Sequence, residues 1–171
     1  MHACNLLVVC ISSPLHYAIY DDDRLLESFS IDEKPSTALP LMYQRLRESS
    51  MRVSGIYYAS GPGNLSALKL THTFLHSWAI VESIPLYATH SFALLPEHYI
   101  YAFGKKHFIM RENIAPSPTK SPEQNLALIT ANIECVLCEN PPHSPPFTPP
   151  AVLPKSSFCL PCEPIYILPP V

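Results

Sequence analysis

The segment Ser60-Gly61-Pro62-Gly63-Asn64-Leu65-Ser66-Ala67-Leu68-Lys69 joins two unlike patterns. Upstream, Val53 to Ala59 is a short apolar and aromatic run of the kind that forms a strand. Downstream, from about Asn64, the residues Ala67, Leu68, Phe74, Leu75, Trp78 and Ala79 recur at helical spacing, while Lys69, His72, Thr73 and His76 fall on a polar face. Gly61-Pro62-Gly63 is therefore a strand-to-helix junction. Glycines at the start of a helix let backbone N–H groups approach an anion closely, so a phosphate is one candidate occupant. They also allow a sharp turn that leans the helix on the sheet, and a lone Gly-Pro-Gly favours that second reading.

Working outward toward the start of the chain, Cys4 to Ser12 is a continuous apolar run with the character of a buried strand. Leu15, Tyr17 and Ile19 alternate with His16, Ala18 and Tyr20, and Asp21-Asp22-Asp23 supplies a turn into a third strand, Arg24 to Ile31. Three successive strands with tight connections predict an antiparallel meander. A helix is expected next, with Ser36 or Thr37 as N-cap and Pro40 in the first turn. Leu39, Met42, Tyr43 and Leu46 form its stripe, and Arg45 and Arg47 lie near its C-terminal end.

Toward the other end, Ile84 to Ala88 reads as a short fifth strand. Tyr99 to Phe103 and His107 to Met110 flank Gly104-Lys105-Lys106 as a hairpin. Ser121, Pro122 and Gln124 predict a capped helix ending by about Ile133. Six of the 20 prolines precede residue 100 and fourteen lie from Pro116 onward, so the chain changes character near residue 115. The expected domains are thus 1–112 and 113–171. The later part, with seven prolines between Pro141 and Pro154, must lie along the first domain, bind something, or stay mobile.

A chain of 171 residues, 47% of them hydrophobic, can bury one core with a small second lobe. The formal charge of −3 gives no basic field for gripping a phosphate backbone, so any service to RNA goes through a partner. The run Leu6 to Ile11 is too short to span a membrane and lacks the basic flank of a signal peptide, so no membrane partner and a cytoplasmic location are expected. In a reducing compartment the six cysteines are thiols or metal ligands rather than disulfides.

The junction resembles the Gly-Pro-Gly-Ser-Phe-Thr-Gly-Leu-Arg segment of the TsaB/YeaZ family: Gly61-Pro62-Gly63 matches outright, and Ser66, Leu68 and Lys69 match conservatively. Ile84-Pro85-Leu86-Tyr87 is similar to that family's Val-Pro-Leu-Tyr, and Pro164 to Pro170 is similar to its closing Pro-Leu-Tyr-Leu-Arg-Pro-Pro. The resemblance implies an α/β protein with a ribonuclease-H-like domain of the actin/Hsp70-like superfamily, in the order β-β-β-α-β-α-β, with a reduced proline-rich second lobe. It further implies a non-catalytic scaffold subunit of the machinery that makes threonylcarbamoyladenosine on tRNA. Its partners would be a TsaD-like catalytic subunit and a TsaE-like ATPase, with tRNA met only through the complex and a homodimer open to the chain when alone. Partner contact is then expected at Leu39, Met42, Tyr43, Leu46, Leu65, Leu68, Lys69, Leu70, His72, Thr73 and His76.

Two departures from the superfamily argue against catalysis. Val9-Cys10-Ile11-Ser12-Ser13 has a cysteine where nucleotide-binding members place an Asp, and a thiol does not replace a carboxylate toward magnesium. Ser91-Phe92-Ala93-Leu94-Leu95 lacks the His-Met-Glu-Gly-His ligands of the TsaD family. No cofactor is required on this reading. Cys135-x-x-Cys138 and Cys159-x-x-Cys162, twenty residues apart, have the spacing of a four-thiolate structural zinc, although Glu139 and Glu163 stand where a knuckle prefers glycine. A zinc-bearing interaction module is the alternative function. His72 and His76 share a helical face but lack the acidic residue of a His-Glu-x-x-His motif, which makes a solvated or interface face the better reading.

Overall fold

The opening apolar run becomes strand β1 (His2–Val9), in which Leu6, Leu7, Val8 and Val9 are all buried. Because successive side chains point to opposite faces, such a strand needs cover on both sides. In this computed structural model, which describes residues 2–95 and 99–167, the cover comes from two very different sources.

β1 sits at the centre of a mixed five-stranded sheet. Strand β2 (Leu15–Asp21) pairs antiparallel with it and β3 (Arg24–Ile31) pairs antiparallel with β2, which is the expected meander. After helix α1 (Pro35–Glu48), strand β4 (Met51–Ala59) returns parallel to β1. After helix α2 (Leu65–Glu82), strand β5 (Leu86–Thr89) returns parallel to β4, giving the order β3-β2-β1-β4-β5. The two parallel steps each use a helix to travel back, as parallel pairing demands.

Both helices pack on one face, where Leu39, Met42, Leu68 and Leu75 join Leu6, Val8, Ile19 and Ile56 in the main core. The other face, made by Leu7, Ala18, Tyr20 and Tyr57, is covered by Leu153 and Phe158 of the proline-rich tail. Leu153 N donates to Asp23 O and Leu25 N to Ala151 O at one edge, while Leu160 N donates to Ala88 O at the other. Of the three fates open to the tail, these residues take the first: they lie along the sheet.

A short helix α3 (Ser91–Leu94) leads into a second sheet of β6 (Ile100–Phe103), β7 (Lys106–Met110) and β8 (Ile133–Leu137), all antiparallel, with α4 (Pro122–Ala131) between the last two. The expected boundary near residue 112 thus falls between two strands that pair with each other. β8 was not foreseen. The capping box of α4 was: Ser121 Oγ accepts from Gln124 N at 3.2 Å, and Ser121 N donates to Gln124 Oε1 at 3.0 Å.

Several boundaries differ from expectation, β4 starting at Met51 rather than Val53 and β5 at Leu86 rather than Ile84, and two of the differences have a visible cause. α1 starts at Pro35 with Lys34 as N-cap, two to three residues before the expected hydroxyl caps Ser36 and Thr37, and Pro40 lies inside the helix. Pro35 suits the first helical position because its missing N–H would have no intrahelical partner there. β1 ends at Val9 rather than Ser12, because the Ile11 carbonyl turns away to accept from Asn64 N at 2.8 Å.

Candidate partner-binding face and the glycine junction

The junction is buried and internally satisfied. Gly61, Pro62 and Gly63 have little solvent contact. Ser60 N donates to Thr89 O, Ser91 N to Gly61 O, Ser91 Oγ to Pro62 O and Ile165 N to Ser60 O. Gly61 has φ +130°, a conformation side chains disfavour, and a Cβ on Gly63 would stand 2.7 Å from both Cβ and O of Ile11. The glycines therefore serve a tight turn and close packing against the end of β1. Asn64 Oδ1 accepts from Ala67 N at 3.2 Å and so caps α2. A cavity of about 520 Å³ lies beside the junction, between the starts of the two helices, with Ser12, Ser13, Lys34 and Ser66 on its wall.

The structure divides the eleven expected contact residues of α1 and α2 into two sets. Leu39, Met42, Leu46 and Leu68 are at most 5% exposed and belong to the core. Their assignment to a partner surface is corrected: the stripe that the helical period reveals is the stripe that meets the sheet. Lys69, Leu70 and Thr73 are exposed, and Tyr43, Leu65, His72 and His76 are half-buried. Sequence reasoning reached only part of the better apolar surface, naming Tyr43 but not Phe74, Trp78 or Val81 as contact residues; it lies between the helices on the side away from the sheet. There Tyr43, Phe74, Trp78 and Val81 line a recess of about 220 Å³. Tyr43 meets Trp78 edge-on at 5.0 Å between ring centroids and donates its hydroxyl hydrogen to Glu82 Oε1 at 2.9 Å. Arg47 reaches the same carboxylate oxygen at 3.5 Å. Ile80 and Val81, 77% and 81% exposed, stand beside the recess. The signal that could have found it was the near-continuous apolarity of Trp78-Ala79-Ile80-Val81, which is too wide for one helical face.

Reactive chemistry is poorly supported. Cys10, at the end of β1, is fully buried, and burial pushes its thiol up to about 11, which keeps it protonated and a poor nucleophile or ligand near neutrality. His90 is also fully buried; burial lowers it to about 4, against the opposing hydrogen bond from Nε2–H to Ile114 O at 3.0 Å. It is a neutral core imidazole. The four tail cysteines are free and are spread over β8, the turn after it and the tail crossing the sheet. Cys162 Sγ donates to Leu86 O, and Cys159 Sγ accepts from Asn125 Nδ2 at 3.5 Å. Among the described residues no three His, Cys, Asp or Glu side chains stand where they could hold a metal, so the expected four-thiolate centre is not assembled here. No described helix is long and apolar enough to cross a membrane. Of the closing Pro164–Pro170 segment, Leu168, Pro169 and Pro170 lie outside the described residues.

No family model and no curated protein matches the sequence. Solved structures do match the fold. A crystal structure described as an uncharacterised protein with similarity to peptidase YeaZ, from Pseudomonas aeruginosa, superposes with a TM-score of 0.51 at 18% identity, over 62% of this chain and 57% of that one. YeaZ from Pseudomonas aeruginosa superposes with a TM-score of 0.52 at 17% identity, over the same shares of the two chains. The matched part of the chain has a YeaZ-like fold, and the chain spans a little over half the length of those structures.

Proposed function

We propose that this chain, proceeding from its YeaZ-like fold, is a non-catalytic subunit of the TsaB type that holds a TsaD-like catalytic protein in a competent state for threonylcarbamoyladenosine formation on tRNA. On this reading the five-stranded domain is ribonuclease-H-like, of the actin/Hsp70-like superfamily, and the chain works in the cytoplasm as one half of a heterodimer. The observation that carries it is the exposed aromatic recess of Tyr43, Phe74, Trp78 and Val81 between α1 and α2. An apolar depression beside two almost fully exposed aliphatic side chains is a surface suited to receiving a partner's helices. The buried, protonated Cys10 favours a supporting role, and the peptidase word in one neighbour's description finds no Gly-x-Ser-x-Gly nucleophile in this sequence. A TsaE-like ATPase would dock near the junction of the two subunits, and tRNA would be gripped by the complex.

The test is co-purification of the chain with the TsaD-like protein of the same cell, comparing wild type with Val81→Glu and Leu70→Glu. A stable complex that Val81→Glu weakens at least tenfold, with Leu70→Glu weaker in effect, is the expected result. Absence of any complex at micromolar concentrations overturns the proposal.

A further inference from the structure

The aromatic recess between α1 and α2 has a neighbour. Trp78, which walls the recess, also walls a second depression of about 280 Å³, where Arg47, Arg52 and Glu82 stand at the C-terminal ends of the two helices and the start of β4. The two depressions differ in chemistry: Tyr43, Phe74 and Val81 make the first apolar, whereas charged side chains bound the second. Their separation is set by the helices. Tyr43 and Arg47 on α1, like Trp78 and Glu82 on α2, stand at i and i+4, which is about one turn, or roughly 5–6 Å along the axis.

The charged depression holds a surplus cation. Glu82 Oε1 accepts from the Tyr43 hydroxyl at 2.9 Å and meets Arg47 at 3.5 Å, so that carboxylate is already answered on two sides. Arg47 also lies in the last turn of α1, where it answers the helix dipole. Ser49 Oγ is spent on the cap of α1, donating to Leu46 O and accepting from Met51 N. Arg52 differs from these: it is exposed, and among the described residues it forms no ion pair. Its backbone is fixed in the sheet opposite Ala3 of β1. A guanidinium offers parallel donors to a carboxylate, which makes an acidic side chain the matching ligand.

We propose that the groove receives an amphipathic helix of the partner, which carries a bulky apolar side chain for the recess and an aspartate or glutamate one turn away for Arg52. Helices that lie in such grooves present anchors at i and i+3 or i+4, the spacing that the two depressions have. The apolar anchor supplies affinity. Arg52 supplies register and choice of partner, because a basic residue in the acidic position would meet an unpaired cation. This pairing rests on the partner-binding role of the recess and adds to it the charge and spacing required of the partner.

The experiment selects binders of the full chain from a displayed library of helical peptides randomised on one face. The selection is repeated against Arg52→Glu, checked for folding by circular dichroism. Against wild type, an apolar residue with Asp or Glu three or four positions away should be enriched; against Arg52→Glu, Lys or Arg should take the place of the acid. Trp78 is the only tryptophan of the chain, so the selected peptides should shift its emission saturably. No binder, no acidic enrichment, the same sequences from both baits, or binding that leaves the tryptophan emission unmoved overturns the proposal. Binding of the TsaD-like protein is measured in parallel, where Arg52→Glu should weaken the complex about tenfold at low salt and less at high salt. A complex indifferent to Arg52→Glu overturns the acidic contact and leaves the recess as the partner's seat. Absence of that complex together with acidic enrichment overturns the TsaD-like choice of partner and supports the chemistry given to the groove.

Discussion

Gly63 occupies a place with no room for a methyl group, since Ile11 Cβ and O would both lie 2.7 Å from it. Gly63→Ala should therefore destabilise the fold by roughly 2–4 kcal/mol through overpacking against β1, read from chemical denaturation midpoints at constant slope. A change under about 0.5 kcal/mol would contradict the close approach. His90 sets a pH dependence. Its folded pKa of about 4 lies below the ordinary 6.5, so the unfolded chain binds the proton more tightly. The stability this confers is full above pH 6.5 and is lost as pH falls toward 4, with an amplitude on the order of 3 kcal/mol. His90→Gln, which keeps a donor for Ile114 O but does not titrate, should flatten that acid limb in denaturation curves taken from pH 7 to pH 4. At this scale the sequence was half legible. Gly-Pro-Gly announced a turn into a helix, but which glycine is indispensable depends on Ile11, about fifty positions away along the chain, and no local pattern reveals such a partner.

Helix α2 is buried on one side by the sheet and carries apolar residues on another. Leu70 and Val81 are 42% and 81% exposed and lie outside the buried core clusters, so Leu70→Glu and Val81→Glu should leave the unfolding free energy of the isolated chain within about 0.5 kcal/mol of wild type. A large loss in either would show that the face is structural. Helical periodicity named Leu39, Met42, Leu46 and Leu68 readily, but periodicity finds the side that is buried, and here the sheet takes it. The second apolar side shows only as an excess of hydrophobic residues around Ile80 and Val81. The missed strand has a comparable cause. Ile133-Glu134-Cys135-Val136-Leu137 follows α4 with no glycine or proline to mark a boundary, and Cys135 drew it into a metal motif. Its pairing with β7 is a tertiary fact, set by residues more than twenty positions earlier. The meander, by contrast, was legible because alternation and the acidic turn are both local signals.

Across the molecule, the tail does for the second face of the sheet what helices do for the first. Phe158 packs edge-on against Tyr57 at 5.1 Å between centroids, and Leu153 is 2% exposed. Lys155 fixes the strap by ion pairs to Asp22 and Asp23 at the β2–β3 turn. Phe158→Ala should cost about 3–5 kcal/mol, within the range of buried aromatic truncations, whereas Lys155→Ala should cost about 1 kcal/mol or less because the pairs are solvent-screened. Equal effects of the two, measured by denaturant titration, would mean that charge rather than apolar cover holds the strap. Composition showed that the tail could not fold alone, but its resting place could not be read, since prolines spaced along an extended chain carry no periodicity that names a partner.

The strap also bridges Arg24 of β3 and Ala88 of β5 through Val152 and Leu160, and those are the two outer strands of the five-stranded sheet. One ribbon thus occupies hydrogen-bonding positions at both rims, where open strands would otherwise invite pairing with a neighbouring chain. It is also made late. During synthesis the sheet's strands leave the ribosome long before residues 151–160, so Leu7, Ala18, Tyr20 and Tyr57 face the cellular milieu bare until those residues emerge in turn. A nascent chain stalled anywhere short of Phe158 would therefore carry a sticky aromatic face with unguarded rims, a natural client for chaperones that recognise exposed apolar surface.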